Sequence, residues 1–141
     1  MSLCSMAEFL LLGYTLIWPT FILGVVAAVG SFGIRWSAIR ALGKFWSLNV
    51  EIREQHEFVK SGPFRWMRHP AYFSMILELL CIGLILNAKY SFLLGAALFV
   101  PALFLRVKIE ERSMVEKFGS AYRSYQQQVP ALIPYKWPSV K

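Results

Sequence analysis

At 141 residues the chain has room for one domain, and 57% of its residues are hydrophobic and 16% aromatic, far to the apolar side of a soluble protein. Its net charge of +7 lies in blocks between apolar runs and does not interleave with aromatic residues along a groove, so we predict no nucleic-acid partner. Cys4 and Cys81 have neither metal-ligand spacing nor a disulfide framework, and we predict no metal site.

The first apolar run covers residues 9–34 and contains no charged residue. As one helix it would be about 39 Å long at ~1.5 Å per residue, longer than the ~30 Å hydrocarbon core of a bilayer, so it must tilt or bend at Pro19. A cleaved signal peptide is the alternative. We disfavour it because the run is too long and because Glu8, rather than a positive charge, precedes it.

Two further apolar runs, residues 71–88 and 90–106, are separated by a short polar turn around Lys89. Each run is short enough to be a buried helix of a soluble protein. Because they are joined by so brief a turn and follow the first run, they are more typical of an antiparallel transmembrane hairpin.

The basic residues orient these spans. All of them except Lys89 lie in the segments 35–70 and 106–141, which the positive-inside rule places in the cytoplasm. We predict an all-α, polytopic integral membrane protein of the cell inner or plasma membrane, a single domain of residues 1–141 with about three transmembrane helices. The cytoplasmic parts are a connector, residues 35–70, and a tail, residues 107–141.

Both cytoplasmic segments have helical periodicity. The connector alternates apolar and basic residues, which predicts a helix in the membrane interface. Its apolar positions are Trp36, Ile39, Leu42 and Trp46. The tail has an apolar stripe, which predicts a cytoplasmic helix packed on the membrane face or on the hairpin. The stripe comprises Val115, Phe118, Tyr122, Tyr125 and Val129. We expect Gly119 to loosen this helix, Pro130 to end it, and His56 of the connector to be exposed surface.

The hairpin brings polar residues of its two ends to one depth. Counting outward from Lys89, Tyr72 and Arg106 lie at the same depth, as do Arg68 and Glu110. The Arg-His-Pro entry to the second run therefore faces the cation and the carboxylates near the end of the third run. A helix N-terminus, a histidine, a tyrosine, an arginine and two carboxylates are expected to line one pocket on the cytoplasmic side.

A structural role for these charges is the alternative. Arg106 with Glu110, and Arg68 with Glu111, would be interfacial ion pairs that anchor the hairpin. When each charged residue is considered alone, a structural ion pair is favoured, whereas the complete cluster favours a binding site. Pro101, one turn before Arg106, adds to the case for a site, since a proline kink frees a carbonyl and opens space.

Short motifs in a fixed order carry a family resemblance over residues 36–137. They are Gly62-Pro63-Phe64, Arg68-His69-Pro70-Ala71-Tyr72, Glu110-Glu111, Phe118-Gly119-Ser120-Ala121-Tyr122 with Tyr125, and Val129-Pro130 with Ile133-Pro134. In this order and spacing they resemble the isoprenylcysteine carboxyl methyltransferase family, and the phospholipid methyltransferases share parts of the pattern. The familiar eukaryotic members have more spans, so the chain looks like a compact prokaryotic form.

The resemblance implies a methyltransferase that uses S-adenosylmethionine and a lipophilic or prenylated acceptor from the bilayer, with its active site facing the cytoplasm. It implies that six residues bind the methyl donor: Arg68, His69, Pro70, Tyr72, Glu110 and Glu111. Arg106 is placed at the same pocket as a candidate catalytic residue. The chemistry agrees, since carboxylates can accept from ribose hydroxyls or an ammonium, and cations near a helix start can hold a carboxylate.

Glu78 lies inside the second run, where an ionisable side chain costs about 2.5–3.5 kcal/mol on insertion scales. It is either a protonated carboxyl hydrogen-bonded to a neighbouring helix, or a catalytic residue that acts as a base or recognises the substrate head. A prenylcysteine carboxylate needs no base and would benefit from Arg106, whereas a phenol would gain from a base.

Several functions therefore stay open. The acceptor is an isoprenylcysteine carboxylate, an alkylated phenol or pyrone lipid, or a phospholipid. The segments 42–46 and 77–79 resemble prokaryotic relatives associated with the phenol and pyrone lipids. An alternative that is not an enzyme is a small accessory membrane protein whose polar cluster only anchors the hairpin.

Overall fold

The structure of the chain, a computed structural model, describes residues 2–12, 17–43 and 58–136. Within these ranges the secondary structure is helical, without a strand, as the all-α prediction requires. The elements in chain order are α1 (Ser2–Leu11), α2 (Trp18–Leu42), a 3-10 turn (Gly62–Arg65), α3 (Pro70–Ile85) and α4 (Lys89–Gln128).

The first apolar run is not one helix, which corrects the span predicted for residues 9–34. α1 ends at Leu11, and α2 begins at Trp18 with Pro19 in its first turn. Proline has no N–H to donate to the preceding turn, so it is tolerated where a helix begins and disfavoured in its interior. The bend that was predicted at Pro19 is therefore a helix start.

The helix also extends beyond residue 34, where the first span is predicted to end. α2 continues past the apolar run to Leu42 and ends at Gly43, whose φ of 51° lies in the region that favours glycine. No proline or glycine interrupts residues 34–42, so nothing stops the helix where the membrane run ends. Trp36 thus belongs to α2, whereas Trp46 and His56 lie outside the described residues.

Within the described ranges, two helices, α2 and α4, are long and apolar enough to cross a membrane. Their large apolar side chains face outward: Phe32 is 70% exposed and Leu98 is 69% exposed. The residues that α2 buries are small, namely Gly24, Ser31 and Ala38. Large apolar groups outside and small groups at the helix contact are the distribution expected in lipid. α3 has 16 residues, about 24 Å, so a third complete span stays a prediction.

The packing of α2 on α3 depends on a close approach at a glycine, and a tight turn connects α3 to α4. A side chain at Gly24 of α2 would place its Cβ 2.6 Å from Ile85 Cγ1, which only glycine avoids. The turn after Ile85 includes Asn87, with a φ of 50°. At the start of α4, the two carboxylate oxygens of Glu8 accept from the backbone N–H groups of Tyr90 (3.2 Å) and Ser91 (2.7 Å), so α1 caps α4.

α4 continues beyond its apolar part, and its end folds back. It passes through Pro101 with helical backbone angles and breaks only at Gly119, where φ is 56° and ψ is −128°. The predicted stripe is largely buried, since Tyr122, Tyr125 and Val129 form a core against Phe58. The segment after Gln128 returns across the start of α3, so that Leu132 packs with Leu103 and Val107 of α4.

Candidate active site

The start of α3 is held by the segment that follows α4. The backbone N–H groups of Arg68 and His69 donate to the carbonyl oxygens of Pro130 and Ala131, both at 2.9 Å. Pro70, the first residue of α3, is fully buried and has no N–H that needs a partner. These backbone hydrogen bonds and the burial of Pro70 hold the Arg-His-Pro sequence in place, independently of its polar side chains.

Glu111 of α4 is the centre of one set of contacts. Its Oε1 accepts from Arg68 Nε at 2.6 Å and lies 3.1 Å from His69 Nε2, while its Oε2 accepts from Gln126 Nε2 at 3.1 Å. Burial by itself would raise the pKa of Glu111, but the hydrogen bonds from His69 and Arg68 outweigh burial and lower the pKa to about 2. The carboxylate is therefore ionised at neutral pH.

Glu110 anchors the second set, on the neighbouring side of the same helix. Tyr72 donates its hydroxyl to Glu110 Oε1, and Arg106 Nε lies 3.2 Å both from that oxygen and from the Tyr72 hydroxyl. His69 Nδ1 is 3.7 Å from Glu110 Oε2, so the imidazole lies between the two carboxylates. The Arg106 side chain is 57% exposed. Among the described residues, both of these contacts use Nε, so its terminal nitrogens can bind a ligand.

Arg68 is engaged in a different way from Arg106. Besides Glu111, its Nη1 donates to the carbonyl oxygens of Gln126 (2.9 Å) and Val129, and only 10% of the side chain is exposed. These carbonyls belong to the end of α4, where backbone acceptors have no partner within the helix and the helix dipole favours a cation. Arg68 therefore joins the start of α3 to the end of α4.

The structure brings together most of the residues that the sequence singles out. Those in direct contact are Arg68, His69, Tyr72, Arg106, Glu110 and Glu111. The two ion pairs expected from the hairpin, Arg68 with Glu111 and Arg106 with Glu110, are both present. Counting residues from the turn therefore placed the two helix ends at the correct depth.

Glu78 is not brought to this cluster. Its carboxylate contacts α2 instead: Oε1 lies 2.9 Å from Arg35 Nη2 and 3.1 Å from the Ser31 hydroxyl. On a helix of 3.6 residues per turn, Glu78 and Tyr72 point about 120° apart, which explains the different partners. Glu78 is hydrogen-bonded to a neighbouring helix, as one interpretation expects, but an arginine is paired with it there.

Four contacting residues were not singled out from the sequence: Ser31, Arg35, Ser74 and Gln126. Ser31 and Arg35 on α2, and Ser74 and Glu78 on α3, are each four residues apart, and this spacing could have indicated two polar faces that meet. Gln126, which binds Glu111, lies in a polar stretch without a distinguishing motif, so no local signal pointed to it.

Comparisons with known proteins agree with the motifs. The sequence pattern of the isoprenylcysteine carboxyl methyltransferase (ICMT) family matches residues 22–116. The uncharacterized protein YpbQ of Bacillus subtilis is 34% identical over 67% of this chain and 56% of its own length. Methanethiol S-methyltransferase 1 of Bradyrhizobium diazoefficiens is 33% identical over 52% of this chain and 25% of its own. Protein-S-isoprenylcysteine O-methyltransferase B of Arabidopsis thaliana is 28% identical over 72% and 53%, respectively.

The chain thus spans little more than half the length of YpbQ and of the Arabidopsis relative, and a quarter of the Bradyrhizobium protein. The matched residues contain α3, the twin glutamates of α4 and most of α2. On this match, which covers more than half of the sequence, the chain belongs to the isoprenylcysteine carboxyl methyltransferase family.

Proposed function

We propose that the protein is an S-adenosylmethionine-dependent methyltransferase that acts on a lipophilic acceptor at the cytoplasmic face of a membrane. Family membership supports this proposal, as do relatives that are named as methyltransferases, for example one for methanethiol and one for protein isoprenylcysteine. The helices α2 and α4 are apolar and long enough to cross a bilayer, so a lipid-like acceptor can reach the site from within the membrane.

The observation that carries the proposal is the meeting of the Arg-His-Pro-Ala-Tyr entry of α3 with the adjacent carboxylates of α4. Their chemistry fits the proposed donor. S-adenosylmethionine has an ammonium and ribose hydroxyls, which carboxylates bind, and a carboxylate, which a guanidinium binds. When bound, it supplies an activated methyl group. The same end of the molecule carries most of the basic residues, which supports a cytoplasmic location.

We assign the residues of the cluster distinct roles. Glu110 and Glu111 accept hydrogen bonds from the donor, and Tyr72 and His69 orient these carboxylates and line the site. Arg106, with its accessible guanidinium, binds a carboxylate of the donor or of the acceptor. Methyl transfer to an ionised or lone-pair acceptor is an in-line displacement, so the protein contributes alignment and exclusion of water more than proton transfer.

Binding of the donor tests the proposal. Protein purified in detergent should bind S-adenosylmethionine in isothermal titration calorimetry. Glu110→Ala and Glu111→Ala should each weaken binding by at least about tenfold, since a charge-assisted hydrogen bond contributes about 1.5–3 kcal/mol. Glu116→Ala is the matched control, because Glu116 is an exposed carboxylate of the same helix.

Two results would overturn the proposal. The first is wild-type protein that does not bind S-adenosylmethionine. The second is a pair of variants, at Glu110 and Glu111, that bind it as tightly as the Glu116→Ala control. Either result favours an accessory membrane protein whose ion pairs only anchor the hairpin.

A further inference from the structure

Gln126 contacts the cluster assigned to the methyl donor, and it has no role in that assignment. Its side-chain Nε2 donates to Glu111 Oε2 at 3.1 Å. The residue lies in the part of α4 that follows the break at Gly119, and its side chain is half-buried. The end of α4 thus contributes a side chain to the cluster at the start of α3.

The backbone of Gln126 is held in place independently of its side chain. Its carbonyl oxygen accepts from Arg68 Nη1 at 2.9 Å. The preceding residue, Tyr125, is buried and donates its hydroxyl to the Phe64 carbonyl oxygen at 2.6 Å. A side chain on a fixed backbone loses less conformational entropy when it makes a contact, so the Gln126 amide is preorganised for its bond to Glu111.

The contacts of Glu111 leave one acceptor position open. A carboxylate has about four lone-pair positions, two on each oxygen, and it only accepts when it is ionised. In the part of the chain that the structure describes, Arg68 Nε and His69 Nε2 use the two positions on Oε1, and Gln126 uses one of the two on Oε2. The remaining position on Oε2 is the one to which an N–H or O–H group of a ligand can donate.

We infer that Gln126 is a positioning residue of the methyl-donor site: it fixes the rotation of the Glu111 carboxylate and thereby directs the open position on Oε2 toward the ligand. This inference rests on the proposed methyltransferase function and adds a residue to its site. The last torsion of a glutamate side chain has a broad energy minimum, so a carboxylate held by one oxygen still turns. Arg68 and His69 both bind Oε1, and the bond from Gln126 to Oε2 is the one that stops this rotation.

Gln126→Ala tests the inference, because it removes the bond to Glu111 and retains the backbone carbonyl that Arg68 binds. In calorimetry with protein in detergent, this variant should bind S-adenosylmethionine at least about fivefold more weakly than wild type, as loss of one hydrogen-bonding group commonly causes. Gln127→Ala is the matched control, since Gln127 is an exposed glutamine of the same helix, and it should bind like wild type. Equal affinities of the two variants would overturn the inference.

A positioning role also requires that Gln126 act through Glu111. In protein that carries Glu111→Ala, the further change Gln126→Ala should therefore not weaken binding of S-adenosylmethionine again, since the effects of two residues that act through one contact do not add. An equal loss with and without Glu111 contradicts the inference. It would mean that Gln126 touches the methyl donor itself or supports the fold in general.

Gln126→Glu is a second test, which also decides the matter if an alanine variant does not fold or the double variant binds too weakly to measure. Two carboxyl groups at one site cannot both ionise easily, so the pKa of the introduced carboxyl is raised. At about pH 5.5 it is largely protonated and can donate to Glu111 Oε2, as glutamine does, whereas at about pH 8 it is ionised and repels Glu111.

The affinity of Gln126→Glu protein for S-adenosylmethionine, relative to wild type at the same pH, should therefore be at least about fivefold lower at the higher pH than at the lower pH. Gln127→Glu, the control, should have the same relative affinity at both pH values. A relative affinity of Gln126→Glu that does not depend on pH, or that is higher at the higher pH, overturns the inference. A merely structural role would change the stability of the protein and not this ratio.

The two proposals fail in different measurements. Wild-type protein that does not bind S-adenosylmethionine removes the proposed function. If wild-type protein binds S-adenosylmethionine, and Gln126→Ala protein binds it as tightly as Gln127→Ala protein, only the inference is removed.

Discussion

Three arginines in this protein have the same chemistry but different surroundings. Arg68 is nearly buried, and its donors go to Glu111 and to carbonyls at the end of α4. Arg35 is paired with Glu78 between helices, and Arg106 is mostly exposed beside Glu110. A guanidinium whose donors are already used positions its neighbours, whereas an exposed one can bind a ligand.

This distinction predicts the effect of Arg68→Ala. The substitution leaves the Glu111 carboxylate and two carbonyls without their cation, so we expect a loss of about 2–4 kcal/mol in the free energy of unfolding. Binding of S-adenosylmethionine should weaken as a consequence of the displaced Glu111. The measurement is denaturant unfolding in detergent, with Arg112→Ala, at an exposed arginine of α4, as the control.

The resemblance assigned Arg68 directly to the donor, and the same experiment distinguishes the two roles. A variant that unfolds at the wild-type denaturant concentration but no longer binds S-adenosylmethionine would show that Arg68 touches the donor. A variant that loses stability and binding together supports a positioning role.

At the scale of elements, Gly119 divides α4 into a long helix and a terminal segment. Its φ of 56° with ψ of −128° is accessible to glycine and strained for other residues. The break redirects the chain, so that Tyr122 and Tyr125 pack on Phe58 and Gln126 reaches Glu111. Burial raises the pKa of Tyr122 to about 12, so its hydroxyl is neutral in this packing.

Gly119→Ala should therefore destabilise the protein by about 1–3 kcal/mol, because alanine is strained at this backbone conformation. Gly33→Ala is a suitable comparison, since Gly33 lies within α2 and an added Cβ meets nothing within 4 Å. There we expect a gain of about 0.5–1 kcal/mol from the higher helix propensity of alanine. Thermal unfolding monitored by circular dichroism measures both. Equal stability of Gly119→Ala and wild type would contradict the strain at this position.

At the scale of the whole molecule, the helices bring the polar side chains of the candidate active site together at one end. The C-terminal end of α2, the start of α3 and the part of α4 after Arg106 meet there, and the turn before α4 lies at the other end. Most basic residues are at the first end, which is the basis for placing it in the cytoplasm.

Accessibility to a membrane-impermeant maleimide tests this orientation. In a protein with Cys4→Ser and Cys81→Ser, Lys108→Cys should react in inverted membrane vesicles and Tyr90→Cys in right-side-out vesicles, since both positions are exposed and lie at opposite ends of the apolar part of α4. Labelling of both positions from the same side would show that the apolar part of α4 does not cross the membrane. Labelling of each position from the opposite side to the one expected would reverse the orientation.

The sequence by itself determined the helical class, the apolar runs and the depth at which Tyr72 meets Arg106, because each follows from composition, periodicity or counting from a turn. The family also followed from the sequence, since short motifs in a fixed order carry it. Helix starts and ends, as at Pro19 and Gly43, were less predictable. A membrane run ends where the residues are no longer apolar, whereas a helix ends where its backbone hydrogen bonds can no longer continue.

Only the tertiary structure decided which charges meet across helices. Arg35 and Glu78 are far apart in the sequence, and their pairing depends on the rotation of α2 against α3, which the close approach at Gly24 permits. The same holds for Arg68, whose bonds to Gln126 and Val129 require that the chain turn back after Gly119. A local spacing can mark a polar face on each helix, but packing between the helices decides which groups pair across those faces.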